Sequence, residues 1–436
     1  MEWMKKVVRK ILRDYGDHSL EEKLRVQNSV IVELQRQVRN LKKEKIRVVF
    51  VCHRAALWNS LRTVFEACNQ DDAFDVTIVT VPNKKQIPKL GLNHEEYISE
   101  GAEEYFKDYP CRVIRGYDYE THKWFDLRLL QPDYIFFQTP YDVCRPPEYR
   151  SDIVSSYAKI SYVHYGMPFM GGMIAEESFP KNFLENVYFH FAEFPEMQKY
   201  YVDRVPENAI HKHKNIRLTG YPKLDGIEQY RETESKSWIN AREKGLFRVM
   251  WTPRWSMNEG NCTFFDYKDK LPQYIEEHEG IELLFRPHPQ AFSEFIEKGQ
   301  MTERQVADYK YIYENSDVMS IDMQQDYLPS FYSSDVLITD ESSIMPEYFL
   351  TGKPIIFTYK ETHLNEFATK LSEGFYWAKD WDEVEKYMAM LKNGEDPLDS
   401  KRQELIQSEF CIPENGSGYE IKEILKADFS GMEEKY

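Results

Sequence analysis

In the second half of this sequence, arginine, histidine, serine and acidic residues recur directly after short apolar runs. Thr252-Pro-Arg254, Arg286-Pro-His-Pro289 and Asp340-Glu-Ser-Ser343 each follow such a run. A guanidinium donates two parallel bonds to a phosphate. The prolines beside Arg286 and His288 hold both in an extended loop. Ser342 and Ser343 precede an apolar helical stretch, 344–350, whose Pro346 fits only a first turn and so sets the expected helix start near Ser342 or Ser343. Unpaired backbone N–H groups and the helix dipole there suit an anion; helix capping is the plain alternative. Arg254, Arg286, Asp340, Ser342, Ser343 and Glu347 are thus the candidate substrate-binding residues, with Glu347 placed for ribose hydroxyls and the three loops together suited to a nucleotide diphosphate. In the first half, Tyr162-Val-His-Tyr-Gly166 sets His164 at the end of another apolar run. There it is either structural or a base for a hydroxyl proton. His53 competes for that role.

Parallel sheets hold such loops at their strand ends. Apolar, β-branched runs at 46–51, 74–81, 111–114, 133–137, 158–164, 187–192 and 216–219 alternate with helical patterns, and a second series begins at 247–252, 281–285, 318–321, 335–339 and 354–358. The alternation predicts an α/β protein of two doubly wound, Rossmann-like domains facing each other across a cleft. Helical patterns over 381–391, 400–408 and 419–426 close the chain. The expected boundaries are an extension over 1–45, a first domain over 46–230 and a second over 231–436.

Residues 1–13 alternate apolar and basic positions at helical spacing and carry Trp3, which reads either as an anchor on anionic lipid or as a packing helix. Ser19-Leu-Glu-Glu22 has the form of a capping box. Leu20, Leu24, Gln27, Ile31, Leu34, Val38 and Leu41 then follow heptad spacing. This predicts either a homodimeric coiled coil through 20–45 or a helix lying on its own chain.

The 436 residues carry a net charge of −17 and are 42% hydrophobic and 30% charged. That composition describes a folded chain, and its acidity excludes general nucleic-acid binding. Six scattered cysteines without a C-x-x-C pair read as free thiols of a reducing compartment. No run is long and apolar enough to span a bilayer. The expected location is the cytoplasm, with the inner face of the plasma membrane open to the basic segment. Walker, dinucleotide-fingerprint, H-E-x-x-H and G-x-S-x-G motifs are missing from the sequence.

His164-Tyr-Gly166, Gly220-Tyr-Pro-Lys-Leu-Asp225, Thr252-Pro-Arg254, Arg286-Pro-His-Pro289 and residues 334–343 with Lys353-Pro354 resemble the successive motifs of CDP-glycerol glycerophosphotransferases, the teichoic-acid and capsule polymerases and primases. The resemblance runs from about His164 to Gly418. It implies a GT-B fold, a CDP-activated donor on the second domain, a metal-independent displacement at the β-phosphate without a cofactor, and catalytic roles for His164 and His288. Two departures stand out. A tyrosine separates His164 from Gly166 with no tryptophan before it, and Glu341 occupies a position where an aromatic is usual.

The expected reaction moves glycerol phosphate, or a related alditol phosphate, from CDP-glycerol or a similar CDP-alditol to a hydroxyl of a glycan or lipid-linked acceptor. Two alternatives stay open. One is a GT-B glycosyltransferase using a sugar nucleotide. The other is a catalytically silent coiled-coil scaffold of a cell-surface polymer assembly complex.

Overall fold

The computed structural model describes residues 20–42, 44–86, 95–167, 178–205, 215–255, 261–324 and 326–431. The basic segment 1–13 and the Ser19 cap lie outside these. The chain divides into two compact units. The first takes the chain to Asp225, apart from a short stretch after Gly166, and regains it from Cys411; the second includes Gly226–Phe410. The stretch from Cys411 therefore sits with the first sheet, whereas the sequence boundaries grouped 231–436 together.

The first unit is built on seven strands: β1 (Ile46–Cys52), β2 (Phe74–Thr80), β3 (Arg112–Arg115), β4 (Tyr134–Phe137), β5 (Lys159–Val163), β6 (Val187–Ala192) and β7 (Ile216–Leu218). Every pairing is parallel and the order is 3-2-1-4-5-6-7. β1 and β4 are apolar along their length because both their faces are covered. Phe50 of β1 packs among Trp58, Phe65 and Phe136. The run after β1 divides into a 3-10 turn, Ala55–Ser60, and helix α2 (Arg62–Asn69), with Leu61 between them.

Two of this unit's other helices pack together. The heptad segment forms α1 (Leu20–Leu41). Val32 is buried, Glu33 pairs with Lys159 at 3.2 Å, and Arg39 pairs with the buried Asp133. Ile31, Val38 and Leu41 on the heptad seam stay 51%, 50% and 85% exposed. The C-terminal helix α5 (Ser417–Ser430) lies against α1 and α2. Its Asp428 accepts from the Tyr134 hydroxyl and from Lys159 Nζ, at 3.0 Å for the latter. At its start, Asp225 accepts from the Ser417 and Gly418 N–H groups at 2.7 and 2.8 Å and from the Thr63 hydroxyl at 2.6 Å. A Cβ at Gly418 would fall 2.4 Å from the Thr63 carbonyl, so α5 approaches α2 only as glycine. Asp225 of the Gly220-Tyr-Pro-Lys-Leu-Asp225 motif is thus a helix cap supplied from another part of the chain.

The second unit repeats the plan with β8 (Phe247–Thr252), β9 (Ile281–Phe285), β10 (Met319–Ile321), β11 (Val336–Thr339), β12 (Ile355–Thr358) and β13 (Tyr376–Ala378). All are parallel, in the order β10-β9-β8-β11-β12-β13. Both sheets thus have the strand order of doubly wound folds, which reverses between the first strand and the fourth. The core of this unit joins Val249, Trp251, Phe264, Leu283, Phe285 and Ile338, among others. The helix after β11, α4, covers only Met345–Phe349. It starts later than the expected Ser342 or Ser343 because those residues form a turn in which the Met345 N–H reaches the Ser342 carbonyl at 3.1 Å. Pro346 still falls in the first turn, where its missing N–H costs no bond.

Candidate functional site

In the second unit the loops after β8, β9 and β11 come together at the carboxyl edge of the sheet, beside the reversal of strand order between β8 and β11. The Arg254 N–H donates to Asp340 Oδ1 at 2.6 Å, and its Nη1 donates to the Glu341 carbonyl at 2.9 Å. Asp340 also accepts from the Thr263 N–H at 2.8 Å and hydroxyl at 3.0 Å. Its carboxyl is turned inward and positions Arg254. Burial, against these hydrogen bonds, raises its pKa to about 7.

Trp255, the next residue, stacks on His288 with centroids 5.0 Å apart and planes 15° apart. His288 Nδ1 accepts from the Gln290 N–H at 3.2 Å. A neutral ring with Nδ1 as acceptor carries its proton on Nε2, ready to donate to a phosphate oxygen. The edge of His288 is exposed while Trp255 covers a face. Burial of that face, followed by the positive Arg254, lowers its pKa, so the neutral ring prevails at pH 7.

Arg286 pairs with the buried Asp322 at 2.8 Å, and its guanidinium lies 5.0 Å from the Tyr327 ring centroid. The Tyr327 hydroxyl donates to Glu347. Asp322 also accepts from Ser237 and Ser330 hydroxyls at 2.8 and 2.9 Å, which fixes the arginine from behind. Ser342 and Ser343 stand ahead of α4 without capping it, and Ser343 is exposed. Glu341 is buried and accepts from the Asn261 side chain and the His363 N–H. The sequence reading of the site did not include Trp255, Asp322, Tyr327 or Asn261. Trp255 adjoins a named motif and Asp322 directly follows β10, and these were the only signals available.

The profile described as CDP-Glycerol:Poly(glycerophosphate) glycerophosphotransferase matches residues 178–378, which hold every one of these second-unit residues. Across that stretch the chain is similar to this glycerophosphotransferase family. No curated protein matches the chain. Solved structures share the fold. A putative UDP-N-acetylglucosamine 2-epimerase from Listeria monocytogenes matches at TM-score 0.58 and 12% identity, covering 89% of this chain and 98% of its own. The Neisseria meningitidis UDP-GlcNAc 2-epimerase bound to UDP-GlcNAc matches at 0.54 and 10%, covering 88% and 99%. A histidine-to-asparagine variant of the wall teichoic acid polymerase TagF, soaked with CDPG, matches at 0.54 and 12%, covering 94% and 97%. At such identities the likeness shows the fold alone, of GT-B type.

The first-unit histidine of the glycerophosphotransferase resemblance, His164, follows β5 and is only 4% exposed. Its ring is sandwiched by Tyr165 and Phe179, with centroids 4.7 and 4.6 Å away. Nδ1 lies 2.5 Å from the Gly166 carbonyl. Donation to that oxygen leaves Nε2 as the acceptor, and Nε2 is buried with no hydrogen-bonding side chain beside it among the described residues. Burial, opposed by the Gly166 and Ser178 backbone, lowers the His164 pKa to about 4. Glu193, after β6, is buried near Tyr162, Tyr201 and the His164 backbone. The backbone N–H groups of His164 and of Glu193 itself lean toward its charged form, yet among the described residues no well-aligned hydrogen bond reaches either carboxyl oxygen. Burial dominates and raises its pKa to about 8.

Proposed function

We propose that this glycerophosphotransferase moves glycerol phosphate, or a related alditol phosphate, from a CDP-activated donor to an acceptor hydroxyl in the synthesis of a teichoic-acid-like or capsular polymer. The single observation that carries the reading is the family match over 178–378 on the stretch that supplies Arg254, Arg286 and His288. The two guanidiniums and the His288 Nε2–H bind the diphosphate and the charge that grows on departing CMP. Ser342 and Ser343 add hydroxyl and backbone donors, and Glu347 faces the ribose. Asp340 acts through Arg254.

Two finer readings belong here. Residues 1–13 would bring the enzyme to an anionic membrane carrying a lipid-linked acceptor; among the described residues no helix is long and apolar enough to cross one. The exposed Ile31, Val38 and Leu41 would pair with the same seam of a second copy, because a heptad stripe is best filled by another.

The test is a panel of CDP-glycerol, CDP-ribitol and UDP-N-acetylglucosamine, with the released nucleotide identified. CMP from a CDP-alditol is expected. Release of UDP from the sugar nucleotide, and no CMP, would overturn the reading. His288→Ala should weaken CDP binding at least tenfold in calorimetry while the melting temperature holds.

A further inference from the structure

In the second unit a row of buried oxygens runs from Asp340 across the ends of β12 and β11. The Thr263 hydroxyl lies 3.0 Å from Asp340 Oδ2 and 2.8 Å from the Thr358 hydroxyl, which lies 3.1 Å from the Thr339 carbonyl oxygen. All four residues are buried. The two ends of the row, a carboxylate and a carbonyl, only accept, and each hydroxyl between them has one proton to give. While Asp340 is charged, two protons must therefore serve three contacts. Whichever way the hydroxyls turn, one contact sets two oxygens face to face with no proton between them. A proton on Asp340 fills all three: the acid donates to Thr263, Thr263 to Thr358, and Thr358 to the Thr339 carbonyl. Buried polar networks are at their most stable when every member is satisfied.

The surroundings set how readily that proton is taken. Burial pushes the Asp340 carboxyl up to about 7, against the Thr263 and Arg254 N–H groups, the Thr263 hydroxyl and the Arg254 charge. Cys262 and Tyr267 also face it; burial first, with Asp340 adding, pushes each up to about 12, so both stay neutral. The Glu341 carboxylate is taken up by the Asn261 side chain and the His363 N–H, and Lys360 pairs with Asp266 at 2.6 Å. In the acid form Oδ1 still accepts from the Arg254 N–H, so the loop keeps its place while a negative charge beside Arg254 is removed. A diphosphate on Arg254 adjoins that charge, and like charges favour the acid.

We propose that the donor site takes up a proton when a nucleoside diphosphate binds, held on Asp340 by the hydroxyls of Thr263 and Thr358. The inference rests on the reading of Arg254 as a diphosphate ligand. Solvent supplies the proton, and no bond of the ligand changes. Because the acid form binds better, affinity rises as pH falls through about 7.

The experiment titrates the full chain with CDP-glycerol, whose diester diphosphate has no proton to gain near neutral pH. Calorimetry at pH 7 in HEPES and in Tris, buffers of different ionisation enthalpy, should show uptake of roughly half a proton per ligand, because about half of Asp340 already holds one. The Kd should rise about tenfold between pH 6 and pH 9, the factor for a shift of one pH unit. Asp340→Asn should abolish the uptake. Thr263→Ser keeps the hydroxyl and should keep the midpoint of the Kd profile, whereas Thr263→Val should displace it. Equal Kd at pH 6 and pH 9 with no uptake by the wild type would overturn the proposal and leave the glycerophosphotransferase reading intact, and this reading stands even if a variant fails to fold. Full uptake by Asp340→Asn would place the proton on another group, such as His363 beside Glu341, and would also overturn it. So would an unchanged midpoint in Thr263→Val. Failure of CDP-glycerol to bind at any pH would overturn the donor reading and this inference together.

Discussion

A carboxyl buried without a well-aligned partner makes itself known through pH. Burial pushes the Glu193 carboxyl up to about 8 in the folded protein, against its ordinary value of 4.5. The folded state therefore holds its proton more tightly than the unfolded chain. That contribution to stability is complete below about 4.5 and is lost as pH rises through about 8. At pH 9 the fold must hold a charged acid beside Tyr162 and Tyr201. Glu193→Gln should then raise the unfolding free energy by roughly 2–4 kcal/mol at pH 9 and change it little at pH 5, as urea titrations at the two pH values would show. A loss of stability at pH 9 would mean that the carboxylate has a partner in solution. Glu193 was silent in the sequence, being one acid after one strand; its character comes from Tyr162, Tyr201 and the His164 backbone gathering around it. Arg254, Arg286 and His288 were legible because each directly follows an apolar run whose end fixes its position. Asp322 and Tyr327 were not, since their contacts with Arg286 and Glu347 join loops distant in sequence.

At the scale of elements, both sheets could be read from runs such as Val48–Val51 and Leu337–Thr339, whose β-branched and apolar residues suit strands covered on both faces. β13 was missed because Tyr376–Ala378 is only three residues long. The start of α4 was misplaced because Ser342 and Ser343 are equally at home in a turn and at a helix cap. Asp225 shows how a motif can carry a structural role. It caps α5 across 192 positions of sequence, and no local pattern announces that pairing. Asp225→Ala should cost about 1–2 kcal/mol, the range for losing a cap, and Asp225→Asn less, since the amide oxygen still accepts. Thermal melts of the two variants test this; equal stability of all three proteins would remove the cap from the account.

For the whole molecule, the open matter of assembly turns on α1. Ile31 and Val38 are half-exposed, so charging them leaves the packed side, with Val32 and Arg39, in place. Ile31→Asp combined with Val38→Asp should convert a dimer to a monomer in light scattering with little change in the melting temperature. An unchanged mass would show that the stripe has no like partner.

The return of the chain to the first unit has a consequence for how the protein is made. β1 emerges from the ribosome well before Ser417, which meets Asp225, and Asp428, which gathers Tyr134 and Lys159. The last stretch of the second unit ends at Phe410, so that unit is complete in sequence before α5 exists. The N-terminal unit must therefore wait through the translation of its neighbour with the site for α5 on α2 and α1 uncovered. Its closure by α5 follows the synthesis of the second unit, and nascent chains stalled before Ser417 should remain sensitive to protease within the first sheet.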